Sequence, residues 1–462
     1  MSDRTDPFTL PDLLRQPQDR VRALQDALVA RMVAICYDHH PYYSELMRRT
    51  GLKPDDIRSC DDLVKLPTSS KAEFLADPDA FRLRPEGLPA QEATLWKIIY
   101  TTGTSTGRPA PIYVCAHDHF AYQHLFQTRQ DLIGLRDTDL IANLFPMTAF
   151  PLGAYSRAPD EAAAVGAAIF TANTGRVDSI YPVNRSLDQA VMAVGRHRAT
   201  VLWGVAGFVR RVLIRALELR ADFSAVRMVM TTGEAASPAM RDDLRRRMRA
   251  LGCADTQIVN RYGNTEQGGT MIECCDGSGF HSSMPDQVFH EIVDPDPDSG
   301  ARLPDGQAGA VAITHLNRRG TVFLRYKVGD VAALDHATCP HCGRTSVRLS
   351  SQPVRTGDIV KIKGALVNLG QLKTELDRIE ALEEYQVVIT RQDPDDPFSL
   401  DELVLRYAPQ VGAVQDMAPE LAALVTRLTN LRPRLEQARR DDIFDPVTMA
   451  KPPRVVDLRV TR

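Results

Sequence analysis

Seven consecutive residues, Thr101, Thr102, Gly103, Thr104, Ser105, Thr106 and Gly107, carry five hydroxyls and two glycines. Glycine lets backbone N–H groups approach a ligand closely, and Thr and Ser hydroxyls donate to phosphate oxygens. Arg108 adds a fixed positive charge beside them. The segment is not a Walker A loop, because the Gly-Lys-Ser/Thr ending and the helix after it are missing. A Thr/Gly-rich hairpin is the competing reading. A second set is built of softer atoms. Cys339-Pro340-His341-Cys342-Gly343 spaces two thiols so that one metal can bridge them while the glycine turns the backbone. Cys274, Cys275 and His281 lie upstream as further donors. A redox pair and ordinary reduced thiols compete with the metal reading; redox is the weaker, since this knuckle does not open a helix.

Groups of this kind need rigid elements to hold them. Short apolar, β-branched runs at 96–100, 112–115, 140–144, 200–203, 226–231 and 257–260 read as buried strands. Helical patterns lie between them at 187–196, 208–219 and 239–250. The last opens with Ser237 as N-cap and Pro238 at the first helical position. The alternation predicts an α/β fold with helix-covered sheets. We divide the chain into a helical N-terminal region (1–90), an α/β core (91–355) and a small α+β C-terminal domain (356–462). In the last, strands are expected at 358–363, 385–390, 401–407 and 454–460, and helices at 369–382 and 416–440.

Composition narrows the function classes. Fifty-six basic against fifty-nine acidic residues give a net charge of −3, with no basic excess to drive nucleic-acid binding. No apolar run reaches the roughly 18–20 residues of a membrane helix, and the first residues lack a signal-peptide pattern. Eight cysteines are too few for a disulfide scaffold in a chain of 462 residues. The expectation is a soluble, cytoplasmic protein.

Three further segments complete the pattern. Met230-Thr231-Thr232-Gly233-Glu234-Ala235 leaves a predicted strand for a helix, Arg261-Tyr262-Gly263-Asn264-Thr265-Glu266 follows another strand, and Tyr326-Lys327-Val328-Gly329-Asp330 follows an apolar run. With the hydroxyl-rich loop, and in this order, they resemble the adenylate-forming (acyl-CoA synthetase and adenylation-domain) superfamily. Within it the chain is most similar to the phenylacetate–CoA ligase family. His40-Pro41-Tyr42-Tyr43 and Leu66-Pro67-Thr68 add to the likeness.

The resemblance implies a large adenylate-forming domain, a mobile C-terminal domain, and activation of a carboxylate by ATP before transfer to a thiol. It implies that residues 101–107 cradle the β- and γ-phosphates and that Gly233, Glu234 and Ala235 line the adenine slot. Tyr262 would stack on the base, and Asp330 and Arg355 would reach the ribose. Thr265 would touch the α-phosphate, Glu266 would hold Mg²⁺, and Lys451, in Ala450-Lys451-Pro452-Pro453-Arg454, would contact both carboxylate and α-phosphate. Arg108 stands where the family usually has lysine. Relatives with a comparable Cys/His set imply a structural Zn²⁺ on Cys274 or Cys275, His281, Cys339 and Cys342. For the acid, an aromatic wall and small floor residues at Trp203, Gly204, Ala206 and Gly207 suit a flat apolar slot, with Phe145, Met147 and Tyr155 as further candidates.

The expected activity is AMP-forming ligation of a small aromatic carboxylate to coenzyme A, with ATP, Mg²⁺ and coenzyme A as partners and homodimerisation left open. Two alternatives remain: a stand-alone adenylation enzyme that delivers to a carrier protein or an amine, and a catalytically idle, zinc-stabilised binding module.

Overall fold

Apolar runs too long for a one-sided strand and helical stripes between them leave one solution, strands covered by helices. The computed structural model is of this mixed α/β kind. It describes residues 12–101, 109–146, 153–172, 174, 185–234, 236–296, 299–350, 352–355, 359–362, 365–393, 396, 399–410, 416–445 and 453–459. The chain divides into two compact units. The first comprises Met1–Ile141, Ala149–Ile169 and Val259–Pro353, and the second Ala142–Thr148, Phe170–Ile258 and Val354–Arg462.

In the first unit, the helices Gln18–His39 and Pro41–Thr50 meet at His40, whose Nδ1 accepts the N–H of Tyr43 at 3.2 Å. Pro41 occupies the first helical position, where its missing N–H costs nothing. Tyr43 sends its hydroxyl to the Ser69 hydroxyl (2.8 Å) and accepts the N–H of Leu324 (2.9 Å). The His-Pro-Tyr-Tyr segment thereby ties the N-terminal helices to the aromatic core of Phe74, Phe81, Phe323 and Tyr326. Strands Leu95–Tyr100 and Pro111–Cys115 form the antiparallel hairpin expected around the hydroxyl-rich loop.

Three antiparallel strands, Val288–Val293, Gly309–His315 and Tyr326–Ala332, make a sheet that the sequence reading did not separate out. Its first two strands are wholly buried and carry His290, Glu291, Thr314 and His315, so they show neither alternation nor an unbroken apolar run. Arg325 pays for Glu291 with a 2.8 Å ion pair. A second antiparallel ladder runs from Tyr262 through Met271–Glu273 and Phe280–Ser282 to Arg348–Leu349 and Leu334–Asp335.

In the second unit, Val201–Gly204 and Met228–Thr232 pair in parallel, each leading toward a helix, Ala206–Leu219 and Pro238–Ala250. Ser237 caps the latter as expected, accepting the N–H of Met240 at 3.2 Å. Toward the C-terminus, Leu382–Arg391 and Asp401–Pro409 pair antiparallel, flanked in parallel by Val455–Asp457 and Arg434–Gln437. Leu372, Leu376, Val387, Leu405, Leu421 and Val425 form their core. The helix expected at 416–440 is shorter: Ala418–Thr429 ends at Asn430, which takes a left-handed φ of 57°, and Pro433 bars its continuation before the strand at 434. The helix expected at 369–382 likewise stops at Leu376. Among the described residues, no helix is long and apolar enough to cross a membrane.

Candidate active site

Tyr262 closes a strand and Gly263 begins the return. A Cβ on Gly263 would lie 2.7 Å from the Gly269 carbonyl, so only glycine lets the chain double back this tightly. Asn264 Oδ1 accepts the N–H of Gln267 at 2.7 Å and fixes the turn that carries Thr265 and Glu266. Asp330 sits on the strand Tyr326–Ala332 rather than in a turn, on its buried face. The Tyr262 hydroxyl donates to Asp330 Oδ2 at 2.7 Å, joining two motifs 68 residues apart. Both side chains are buried.

Glu266 is 4% exposed, and its closest cation is Lys71, with Nζ 3.7 Å from Oε1. That is beyond hydrogen-bond reach. Among the described residues this carboxylate forms an ion pair with Lys71 but accepts no hydrogen bond. A cation fits it. The backbone around it is clamped. The Glu266 carbonyl accepts from His315 Nε2 at 3.1 Å, while His315 Nδ1 accepts the N–H of Phe323 at 3.0 Å. An amide can only donate, so the imidazole is the neutral Nε2–H tautomer. Burial, aided by Arg318, holds its pKa well below the ordinary value and keeps it neutral. Arg157 Nη2 donates to the Thr265 carbonyl at 3.4 Å. One residue before Tyr262, Arg261 makes a buried two-pronged pair with Glu161, at 2.9 and 3.0 Å. Sequence reasoning missed Lys71, Arg157, Glu161 and His315. Lys71, three residues past Leu66-Pro67-Thr68, was the one within reach of a motif.

Thr101 closes the hairpin below the hydroxyl-rich loop: its Oγ1 accepts the N–H of Ala110 at 2.9 Å. The hairpin reading of that segment holds at its base. Thr102, Gly103, Thr104, Ser105, Thr106 and Gly107 lie outside the described residues, as do Ala235, Met147 and Lys451.

In the second unit, Gly233 takes a φ of 87° and turns the chain so that Glu234 Oε2 accepts the N–H of Gly207 at 2.9 Å. A carboxylate at the first turn of Ala206–Leu219 complements the helix dipole. Arg454 stands 3.6 Å from its other oxygen. Trp203, Gly204 and Phe145 do come together: the Phe145 and Trp203 ring centroids are 6.0 Å apart, and a Cβ on Gly204 would lie 3.1 Å from Leu144. Ala206 and Gly207 follow directly and are buried. Tyr155 is half-buried on Gly153–Val165, in the first unit. Arg355 is exposed on the strand Val354–Arg355. On the helix Pro238–Ala250 the arginines stand beside acidic partners. Asp243 pairs with Arg210 at 2.9 Å and Arg247 at 2.7 Å, and also with Arg246.

Four of the five soft-ligand candidates converge. Ligand atoms of Cys274, His281, Cys339 and Cys342 lie within 4.8 Å of one another. Cys274 Sγ is 3.9 Å from Cys339 Sγ, and Cys342 Sγ is 3.5 Å from His281 Nε2. Tetrahedral zinc with Zn–S near 2.3 Å and Zn–N near 2.0 Å requires S–S and S–N edges of about 3.8 and 3.5 Å. The residues fit the ion. Cys275, the alternative ligand, is exposed and outside the cluster. Gly343, at a φ of 70°, makes the knuckle turn, and His281 Nδ1 lies 3.4 Å from the Ser346 hydroxyl. Burial lowers the His281 pKa to about 4, leaving the imidazole neutral and able to ligate. Cys36, Cys60, Cys115 and Cys253 are buried free thiols.

The sequence model described as "AMP-binding enzyme" matches residues 15–317. A phenylacetate–coenzyme A ligase of Thermus thermophilus is 25% identical over 440 residues, spanning 94% of this chain and 92% of the relative. The enzyme of that name from Escherichia coli is 24% identical over 83% of this chain and 82% of its own. Among solved structures, 2-hydroxyisobutyryl-CoA ligase in the postadenylation state, in complex with R3-HIB-AMP, superposes with a TM-score of 0.79 at 20% identity. The match spans 99% of this chain and 94% of that one.

Proposed function

Since this chain belongs to the AMP-binding enzyme family, we propose that it is an AMP-forming carboxylate–CoA ligase whose acid is small and aromatic. The observation that carries the reading is the Tyr262–Asp330 hydrogen bond, with buried Glu266 four residues beyond Tyr262. It links two of the segments that carry the family resemblance. The named relatives, phenylacetate–coenzyme A ligases, support the substrate class.

Two anions must meet, so the protein's work is positioning and charge. A carboxylate oxygen of the acid attacks the α-phosphorus of ATP, the bond to the bridging oxygen breaks, and pyrophosphate leaves. The thiolate of coenzyme A then attacks the acyl carbonyl and AMP departs. In our reading Tyr262 presents its ring to the base while its hydroxyl, spent on Asp330, fixes the ring's angle. Asp330 accepts from the ribose hydroxyls, and Arg355 also reaches the ribose. Thr265 donates to the α-phosphate, and residues 101–107 hold the β- and γ-phosphates. Gly233, Glu234 and Ala235 line the adenine slot, with Glu234 serving chiefly to lock its loop to the helix at Gly207. Trp203, Gly204, Ala206, Gly207, Phe145 and Tyr155 shape the acid slot, and Lys451 bridges acid and α-phosphate. Glu266 would hold Mg²⁺, which neutralises phosphate charge when bound. A structural Zn²⁺ on Cys274, His281, Cys339 and Cys342 would brace the ladder that follows Tyr262 without touching substrate.

The test is a panel of aryl, heteroaryl and short aliphatic acids, assayed with ATP and coenzyme A for pyrophosphate release and acyl-CoA product. Thioester formation fastest with an aryl acid supports the proposal. An amide or a carrier-bound product, or preference for aliphatic acids, contradicts it.

A further inference from the structure

A small cavity lies in the first unit; its wall is mostly apolar, with Leu125, Met284 and Val288, and Tyr122 and Arg318 are among the polar groups that border it. Arg318 is 4% exposed, and among the described residues none of its three guanidinium nitrogens has a hydrogen-bond partner. Its nearest carboxylate, Asp118, stands 4.0 Å from Nε and is committed elsewhere. The two Asp118 oxygens accept the backbone N–H groups of Cys115 (3.1 Å), Arg319 (2.7 Å) and Gly320 (3.0 Å). Asp118 thus holds the turn that carries Arg318, and leaves the guanidinium unsatisfied.

Tyr122 converges on the same point. Its hydroxyl is buried without a partner among the described residues. A Cβ on Gly268 would lie 2.2 Å from Arg318 Nη1 and 2.7 Å from Tyr122 Oη, so both groups crowd the one position where a side chain is missing. Gly268 has a φ of 84°, a conformation that keeps it glycine. A second cation, Arg157, stacks 5.1 Å from the Tyr122 ring centroid. The nearby amide oxygens are engaged: Gln267 Oε1 lies 3.3 Å from His290 Nε2, and Asn317 Oδ1 lies 2.8 Å from His117 Nε2.

A buried guanidinium and a buried phenol, both with donors to spare, beside a second guanidinium, call for an acceptor carrying negative charge. Asp118, 4.0 Å from Nε, answers part of the charge, but the open donors of Arg318 and Tyr122 need several acceptor oxygens, more than one water offers. We infer that this cavity binds a compact oxyanion, of the inorganic phosphate or small carboxylate kind, held by Arg318 and Tyr122. The site is separate from the Tyr262–Asp330 wall and does not depend on the activity proposed above. A protein that binds phosphate here yet makes no thioester keeps this inference and loses the other.

Calorimetric titration with inorganic phosphate and, separately, acetate, at constant ionic strength, tests it on the wild type and on Arg318→Met, Arg318→Lys and Tyr122→Phe. The expected result is one site for at least one of these anions, weakened about tenfold or more in Arg318→Met, several-fold in Tyr122→Phe, and least in Arg318→Lys. The stronger of the two titrants identifies the anion. Absence of binding to the wild type, or binding that Arg318→Met leaves unchanged (as phosphate held at the nucleotide site would be), overturns the inference. If Arg318→Met fails to fold, Tyr122→Phe and a selenate soak of wild-type crystals decide. An anomalous peak within hydrogen-bond reach of Arg318 Nη1 supports the site, and none there overturns it.

Discussion

Glu266 combines burial with an ion pair to Lys71, 3.7 Å away. Glu266→Gln keeps the shape and removes the charge. We expect ATP–pyrophosphate exchange to fall about a hundredfold or more with little change in melting temperature. An equal loss of stability would make the residue structural instead. Glu161 is the opposite case. It touches no proposed ligand position but neutralises buried Arg261 beside Tyr262. Glu161→Ala leaves that guanidinium uncompensated and should cost about 3–5 kcal/mol in urea unfolding. At this scale the sequence was legible where chemistry imposes fixed local spacing, as in Tyr262 to Glu266 and Gly329-Asp330. It was illegible where a partner arrives from far along the chain. Glu161 and Arg261 are 100 residues apart, and nothing in a chain with 59 acidic residues marks that one.

The metal ladder shows what an element contributes. Ile272 pairs with His281 and His281 with Arg348, so the strands deliver Cys274 and His281 to the Cys339–Cys342 knuckle in fixed register. The purified protein should carry about one equivalent of zinc, and Cys342→Ser should lose it and melt lower. Cys275→Ser should change neither. Zinc retained in Cys342→Ser would refute the ligand set. Spacing alone left Cys274 and Cys275 equivalent; after the strand that ends at Glu273, Cys274 is half-buried within the cluster and Cys275 is exposed outside it. The sheet containing His315 was harder to read. Its buried histidines and Glu291 broke both the alternating and the continuous apolar patterns on which strand recognition depends.

Across the whole molecule, buried histidines couple stability to pH. His40 and His290 are pushed down to about 4 by burial, and His315 lies lower than its ordinary value for the same reason. Below an unfolded pKa of about 6.5 the unfolded chain binds protons that the folded chain refuses, so stability falls as pH drops from about 6.5 toward 4. The urea midpoint should therefore be clearly lower at pH 5 than at pH 7; a flat profile would mean that these imidazoles titrate normally. The α/β class followed from composition and alternation, and the family from its ordered motifs. The central claim is that Tyr262, Glu266 and Asp330 form one wall of a pocket where ATP activates an organic acid. Acid-dependent ATP–pyrophosphate exchange tests it most directly, measured for the wild type, Glu266→Gln and Asp330→Asn. Exchange that requires a carboxylic acid, collapses in Glu266→Gln and shows a raised KM for ATP in Asp330→Asn is the result predicted. Exchange at wild-type rate and KM in both variants would contradict it.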